Sequence, residues 1–395
     1  MKQISLIILN FLLALITFGQ TSQQPMKQLI KEDLHFAAQQ YKFLMRQLPP
    51  DRMPRTYDSA KKELVTSNTR WWCSGFYPGT LWMLYAATKD SVIKKEAERR
   101  LTILEKEKSY TGSHDQGFKM FCSFGTAYQI TKDPAYKEVI FAAAAALSTR
   151  YRPAIESIQS WDSNKNFKCP VIIDNMMNLE LLEWVSKHGG DNKFNQIAVS
   201  HANTTMKNHY RPDYSSYHVV DYDLATGTVS RKLTHQGYAD ESAWARGQAW
   251  GLYGFTMMYR FTKDTSYLSQ ARNIAGFLLH HPNLPADKIP YWDFNAPDIP
   301  AAKRDASAGA IMASALLELA QYTKGKESKT YISVAEKILR TLSSPQYRSP
   351  LGANGGFLLE HSVGSIPQHS EVDVPLSYTD YYFVEALTRY RKWYL

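Results

Sequence analysis

Six times along this chain a helix-forming apolar run opens on glycine or a polar cluster, and three of these runs close on Thr-Lys-Asp. They start near Gly75 (GFYPGTLWMLYAATKD), Gln116 (QGFKMFCSFGTAYQITKD), Asp174 (DNMMNLELLEWVSKHGGD), Arg246 (RGQAWGLYGFTMMYRFTKD), Asp305 (DASAGAIMASALLELAQYTKG) and Asp380 (DYYFVEALTRYRKWYL). Stretches such as 76–85 and 313–322 are apolar on most sides, which suits a helix enclosed by other helices. Between them lie amphipathic segments, 26–48, 91–106, 135–150, 193–209, 266–280 and 329–342, with Lys and Glu on one face and apolar residues at helical spacing on the other. Six outer and six inner helices in alternation predict an all-α fold, an (α/α)6 toroid whose inner helix starts converge on one mouth. An open solenoid of helical hairpins is the competing architecture.

With 395 residues, 44% of them hydrophobic and 21% charged, the chain can bury a large core. The amphipathic pattern runs unbroken from Met26 onward, so residues 26–395 are expected to form a single domain. Residues 1–22 carry one Lys and an apolar stretch from Ile4 to Phe18, as a secretory signal does, and that stretch is short for a membrane span. Export, to a periplasm or to the outside, is therefore expected, with no stable membrane association after cleavage. Cys73, Cys122 and Cys169 are too few for a disulfide scaffold and read as buried thiols. There is no structural zinc spacing, no phosphate loop and no dinucleotide fingerprint. The net charge of +9 is spread over the outer helices, without a basic run interleaved with aromatics. That distribution argues against nucleic acid and leaves an acidic polysaccharide or a plain solvated surface.

The mouth of such a toroid collects whatever stands at the inner helix starts and in the loops before them. Here that means Trp71, Trp72, His114, Asp115, Trp161, Asp174, Asn175, His218, Thr234, His235, Gln236, Trp244, Arg246, Gln248, Trp250, Trp292 and Asp293. Aromatic faces stack on sugar rings, while amides, imidazoles and carboxylates bond hydroxyls, so the inventory describes a carbohydrate cleft. Asp174 follows the apolar Val171, Ile172 and Ile173, where desolvation raises a carboxyl pKa toward neutrality and lets it carry a proton. Asp115, beside His114, is the second carboxylate of an acid/base pair. Helix capping is the alternative role for either one. Arg246 reads as a cation for an anionic substrate, or as a salt bridge at a helix start, and Trp250 lies one turn further along the same face. Asp293, Asp305 and Asp380 read as helix caps or loop braces.

At these residues the chain resembles the unsaturated glucuronyl hydrolases of glycoside hydrolase family 88. The matching blocks are SGFYPGTLW, HDQGF, IIDNMMNLELLEW, SSYHVVDYD, THQGYADESAWARGQAWGLYGF, YWDF, RDASAGAI and DYYFVEAL, in family order from about residue 70 onward. The resemblance implies the (α/α)6 fold on its own account. It also implies removal of a Δ4,5-unsaturated uronic acid from the non-reducing end of lyase-generated oligosaccharides, by hydration of the double bond and without a metal or organic cofactor. Carried over, Asp174 becomes the general acid and Asp115 the second essential carboxylate. Trp72, Trp161, His218, Thr234, Gln236, Trp244, Arg246 and Trp250 become substrate contacts. The C-terminal loop follows the family only in outline, and Ser365 and Ser370 there are either sugar contacts or plain loop residues. Three rivals stand beside this expectation: an unsaturated rhamnogalacturonyl hydrolase, against which SSYH and THQG argue; a sugar epimerase using histidine bases; and a non-catalytic glycan-binding protein.

Overall fold

The computed structural model describes residues 23–395; the expected signal segment lies outside them. Among the described residues the chain alternates outer helices α1 (Met26–Gln47), α3 (Ser91–Leu104), α5 (Pro134–Ser148), α7 (Lys193–Asn208), α9 (Thr265–His280) and α11 (Gly325–Leu342) with inner ones. The inner helices are α2 (Phe76–Thr88), α4 (Thr126–Thr131), α6 (Asn175–Lys187), α8 (Ala245–Thr262), α10 (Ala306–Leu319) and α12 (Ser377–Tyr394). A π-helical run, Gly117–Gly125, leads directly into α4 and completes the second inner helix. The inner helices touch in cyclic order, with α12 packed against both α10 and α2, so the ring is closed and the open solenoid is excluded. Every residue of α10 is buried, as its apolar-all-round sequence requires. Glycine lets the inner helices approach. A Cβ at Gly79 would lie 2.2 Å from the Cys122 carbonyl oxygen, and one at Gly117 would lie 2.5 Å from Asn178 Cα.

The Thr-Lys-Asp repeat is the turn from inner to outer helix. Thr88 Oγ1 donates to the Leu84 carbonyl, Lys89 takes a left-handed conformation (φ 60°) and donates its N–H to the Tyr85 carbonyl, and Asp90 caps α3 through Val92 N. The same bonds recur at Thr131-Lys132-Asp133 and Thr262-Lys263-Asp264. A left-handed lysine costs about 1 kcal/mol. Each ammonium lies over the tyrosine four residues back, at 5.5, 5.5 and 5.4 Å from the ring centres of Tyr85, Tyr128 and Tyr259, which offsets part of that cost.

The opposite end is built differently. The loops expected before the inner helix starts include short antiparallel strands: β1 (Met53–Asp58) with β2 (Glu63–Ser67), β3 (Tyr151–Arg152) with β4 (Ser157–Ile158), a three-stranded sheet of β5 (Pro170–Ile172), β6 (Val219–Asp223) and β7 (Thr228–Leu233), and β8 (Ser362–Ser365) with β9 (Ser370–Val374). All nine described strands lie in connections that lead from an outer helix to an inner one. They carry no helical periodicity, which is why a helix-based reading leaves them as loops. Cys73 and Cys169 are buried and Cys122 half-buried, all three as free thiols.

Candidate active site

Asp174 stands where β5 gives way to α6, in the position of an N-cap. Its side chain makes no capping bond. Its residue is 8% exposed, and Oδ2 has no hydrogen-bond partner within the protein. Burial pushes the carboxyl up to about 7; nearby Arg246 opposes that rise and Asp115 adds to it. Facing Asp174 Oδ2 at 3.7 Å is Nε2 of His218, itself without a hydrogen bond. Two backbone amides, His235 N and Gln236 N, donate to His218 Nδ1 at 3.1 Å each. Nδ1 must therefore be the unprotonated nitrogen, and Nε2–H points at the carboxyl. Burial, with His235 and Arg246 nearby, holds the His218 pKa well below its usual value and keeps the ring neutral.

Asp115 precedes the π-helical run, a geometry that recurs at functional sites. Ser113 Oγ donates to its Oδ2 at 2.8 Å, and His114 Nε2 lies 3.4 Å from its Oδ1. Asp115 and Asp174 thus occupy one cleft and differ in surroundings: the first is polar and partly open, the second closed by apolar walls.

Aromatic contacts string the predicted tryptophans around this pair. Trp161 packs on His235 and edge-on to His218, and His218 lies 4.4 Å from Trp244. The Arg246 guanidinium sits over Trp244 (4.4 Å) and over Tyr378 (5.4 Å). Tyr378 packs on Trp72, and Phe118 bridges Trp72 to Trp250. Trp250 is fully buried with its indole N–H free of any hydrogen bond of normal geometry, close enough to Asp174 to favour its anion.

Arg246 lies differently from a freely presented cation. It is buried, and its terminal nitrogens donate to the Val363 and Gly364 carbonyls of β8, to Asp305 and to Gln236 Oε1, leaving Nε unpaired. Its charge still bears on Asp174, but its fork is spent on the β8 strand and Gln236. Thr234 shapes the same loop: its N–H donates to Asp240 and its Oγ1 accepts from Gly237 N. The three remaining aspartates are braces. Asp293 accepts from Tyr238 N, Ser242 Oγ and Asn295 N; Asp305 caps α10 through Ser307 N; Asp380, inside the first turn of α12, accepts from Tyr41, Leu358 N and Leu359 N.

Sequence reasoning passed over Tyr378, Phe118 and the Arg55–Glu371 ion pair (2.6 Å), which ties β1 to β9 at the rim beside Ser370. Phe118 follows HDQG and was open to the same reasoning as Asp115. Arg55 and Glu371 are 316 residues apart and meet only through the hairpins.

Comparison with known proteins bears on the fold and the family. The model of Glycosyl Hydrolase Family 88 matches residues 47–393. An unsaturated glucuronyl hydrolase of Formosa agariphila is 48% identical over 341 residues, 86% of this chain and 84% of the relative. Among solved structures, an unsaturated glucuronyl hydrolase specific for heparin superposes with a TM-score of 0.90 at 43% identity, over 93% of this chain and 98% of that one. A mutant unsaturated glucuronyl hydrolase of Streptococcus agalactiae complexed with dGlcA-GalNAc6S has a TM-score of 0.79 at 30% identity, over 93% and 92% of the two chains. A closed helical ring with a two-aspartate cleft and a family match across nearly all the described residues lead to one conclusion: the chain belongs to glycoside hydrolase family 88.

Proposed function

We propose that this glycosidase removes the Δ4,5-unsaturated glucuronic acid from the non-reducing end of lyase-generated oligosaccharides with Asp174 as its general acid. The observation that carries the role of Asp174 is its unpartnered, desolvated carboxyl, held near pH 7 and facing the fixed Nε2–H of His218. A carboxyl in that state holds a proton at neutral pH and releases it into an enol ether. The proton goes to C4 and the developing cation lies across C5 and the ring oxygen. Water then adds at C5 and returns a proton to Asp174, whose anion the His218 Nε2–H stabilises. The hemiketal opens to a C5 ketone, and the hemiacetal left at C1 expels the rest of the chain. Asp115, anchored by Ser113, binds ring hydroxyls and stabilises the developing positive charge. Trp72, Trp161, Trp244 and Trp250 form the walls, Thr234 and Gln236 the loop over the ring, and Arg246 holds that loop and adds positive potential for the carboxylate. The apolar stretch from Ile4 to Phe18 supports action outside the cytoplasm.

The test is incubation with unsaturated disaccharides from chondroitin, heparin, hyaluronan and pectin lyase digests, following the ultraviolet absorbance of the conjugated uronate. Absorbance is expected to fall on glucuronyl substrates and to persist on rhamnogalacturonyl ones. In deuterated water the product is expected to carry one deuterium at C4. Cleavage without deuterium at C4 rules out hydration, and cleavage of the rhamnogalacturonyl substrate alone moves the enzyme to the pectin branch.

A further inference from the structure

Two of the cleft histidines, His114 and His218, have their protons fixed by their neighbours, in opposite senses. His218 is an acceptor at Nδ1 and a donor at Nε2, as described. For His114 the partner is Asn175. The Asn175 amide nitrogen lies 2.8 Å from the Ile158 carbonyl oxygen, an atom that only accepts, so the amide orientation is settled. Asn175 Oδ1 then faces His114 Nδ1 at 3.1 Å, and Nδ1 must carry the hydrogen. The ring is 2% exposed, and burial lowers its pKa. Of the charged groups facing it, Asp115 opposes that fall while Arg150 and Lys119 reinforce it. Arg150 is bound to the Gln159, Thr111 and Ser160 carbonyls and to Asp162, and the Lys119 ammonium lies over the Tyr110 ring. A neutral ring with its proton on Nδ1 presents a bare lone pair at Nε2. No donor among the described residues bonds it, and its neighbour at 3.4 Å, Asp115 Oδ1, is also an acceptor.

Two acceptors set side by side repel until donors come between them. A pair of hydroxyls on adjacent ring carbons supplies two donors at matching spacing, and the unsaturated uronate keeps such a pair at C2 and C3. We propose that His114 is a substrate-holding residue, its neutral Nε2 acting with Asp115 Oδ1 as a twin acceptor for the vicinal diol of the uronate ring, and that Asn175 is the positioning residue that fixes its tautomer. This rests on the reading of the cleft as a uronate site.

Two substitutions separate this role from a purely structural one. His114→Asn keeps an N–H for Asn175 and removes the cleft acceptor. His114→Gln places an amide oxygen near Nε2 and gives up the bond to Asn175. The expected result is that His114→Asn melts like wild type but loses about tenfold in kcat/KM, mainly through KM, on an unsaturated disaccharide. His114→Gln is expected to be the less stable protein yet to stay within about threefold of wild-type kcat/KM. The reverse order, with Asn active and Gln impaired, overturns the proposal. Nitrogen-15 NMR of histidine-labelled wild-type protein gives a reading independent of activity and of either variant's folding. Near neutral pH, His114 should be protonated at Nδ1 only and His218 at Nε2 only; an imidazolium or an Nε2–H form of His114 overturns the assignment. Full turnover by Asp174→Asn would sink the hydration mechanism and leave this tautomer measurement standing.

Discussion

The two ends of the toroid are made of the same helices and connected by opposite means. At one end, three of the five connections from an inner helix to an outer one are two-residue Lys-Asp links whose bonds repeat from turn to turn. At the other, four of the six connections from an outer helix to an inner one carry strands, and the buried groups there include Asp174 Oδ2, His218 Nε2 and Arg246 Nε, all unsatisfied. The tight end spends its polar groups on itself; the mouth leaves them open. On the proposed function, stability and chemistry separate along the toroid axis, and substitutions at the two ends should fail in different ways.

The largest effect belongs to the mouth. Asp174→Asn is expected to lower turnover by about 10³-fold while substrate still binds, because the proton acts in the transition state. Stability should move the other way. The folded pKa of about 7 lies above the ordinary 3.8, so the contribution from burying the neutral carboxyl is present at low pH and is lost as pH rises through about 7. Above that pH the Asn variant should melt higher than wild type, and below about pH 4 the gap should close. A lower melting point for Asp174→Asn at alkaline pH would mean that the carboxylate is stabilised after all.

Next comes the wild-type pH profile. With Asp174 required in its protonated form, kcat/KM should decline as pH rises through about 7, roughly tenfold per unit beyond it. A profile flat through that range would give the proton to another group. The tight end offers the smaller effects. Asp133→Ala removes the cap of α5 and should cost about 1 kcal/mol in unfolding free energy with kcat/KM unchanged. A change in kcat/KM without one in stability would break the separation of the two ends. Smallest of all, Lys263→Gly relieves a left-handed lysine and should stabilise by a few tenths of a kcal/mol, net of the lost contact with Tyr259. A net loss would show that the ammonium over the ring outweighs the backbone strain.

The helices were legible because their signals are local. An apolar run all round, a Thr-Lys-Asp stop and a charged amphipathic partner place α8 and α9 within a residue or two of their observed bounds. Asp174 was legible for a related reason: the apolar residues that desolvate it precede it directly as Val171, Ile172 and Ile173. Arg246 was legible as a cleft residue but not as one held by β8, because Val363 and Gly364 lie more than a hundred residues away and bond it through carbonyls that every residue has. The tautomers of His114 and His218 were equally hidden, since Ile158 O, His235 N and Gln236 N are backbone atoms that only the fold brings near.

Ring closure has a consequence for assembly. Hairpins such as α2–α3, α6–α7 and α8–α9 unite neighbouring segments and can form as the chain emerges, but α12 must meet α2 across some three hundred residues. That last contact delivers Tyr378 beneath Arg246 and against Trp72, and Tyr382 against Trp250. This aromatic wall therefore depends on a contact between the two ends of the ring, and helix pairing within neighbouring hairpins cannot build it.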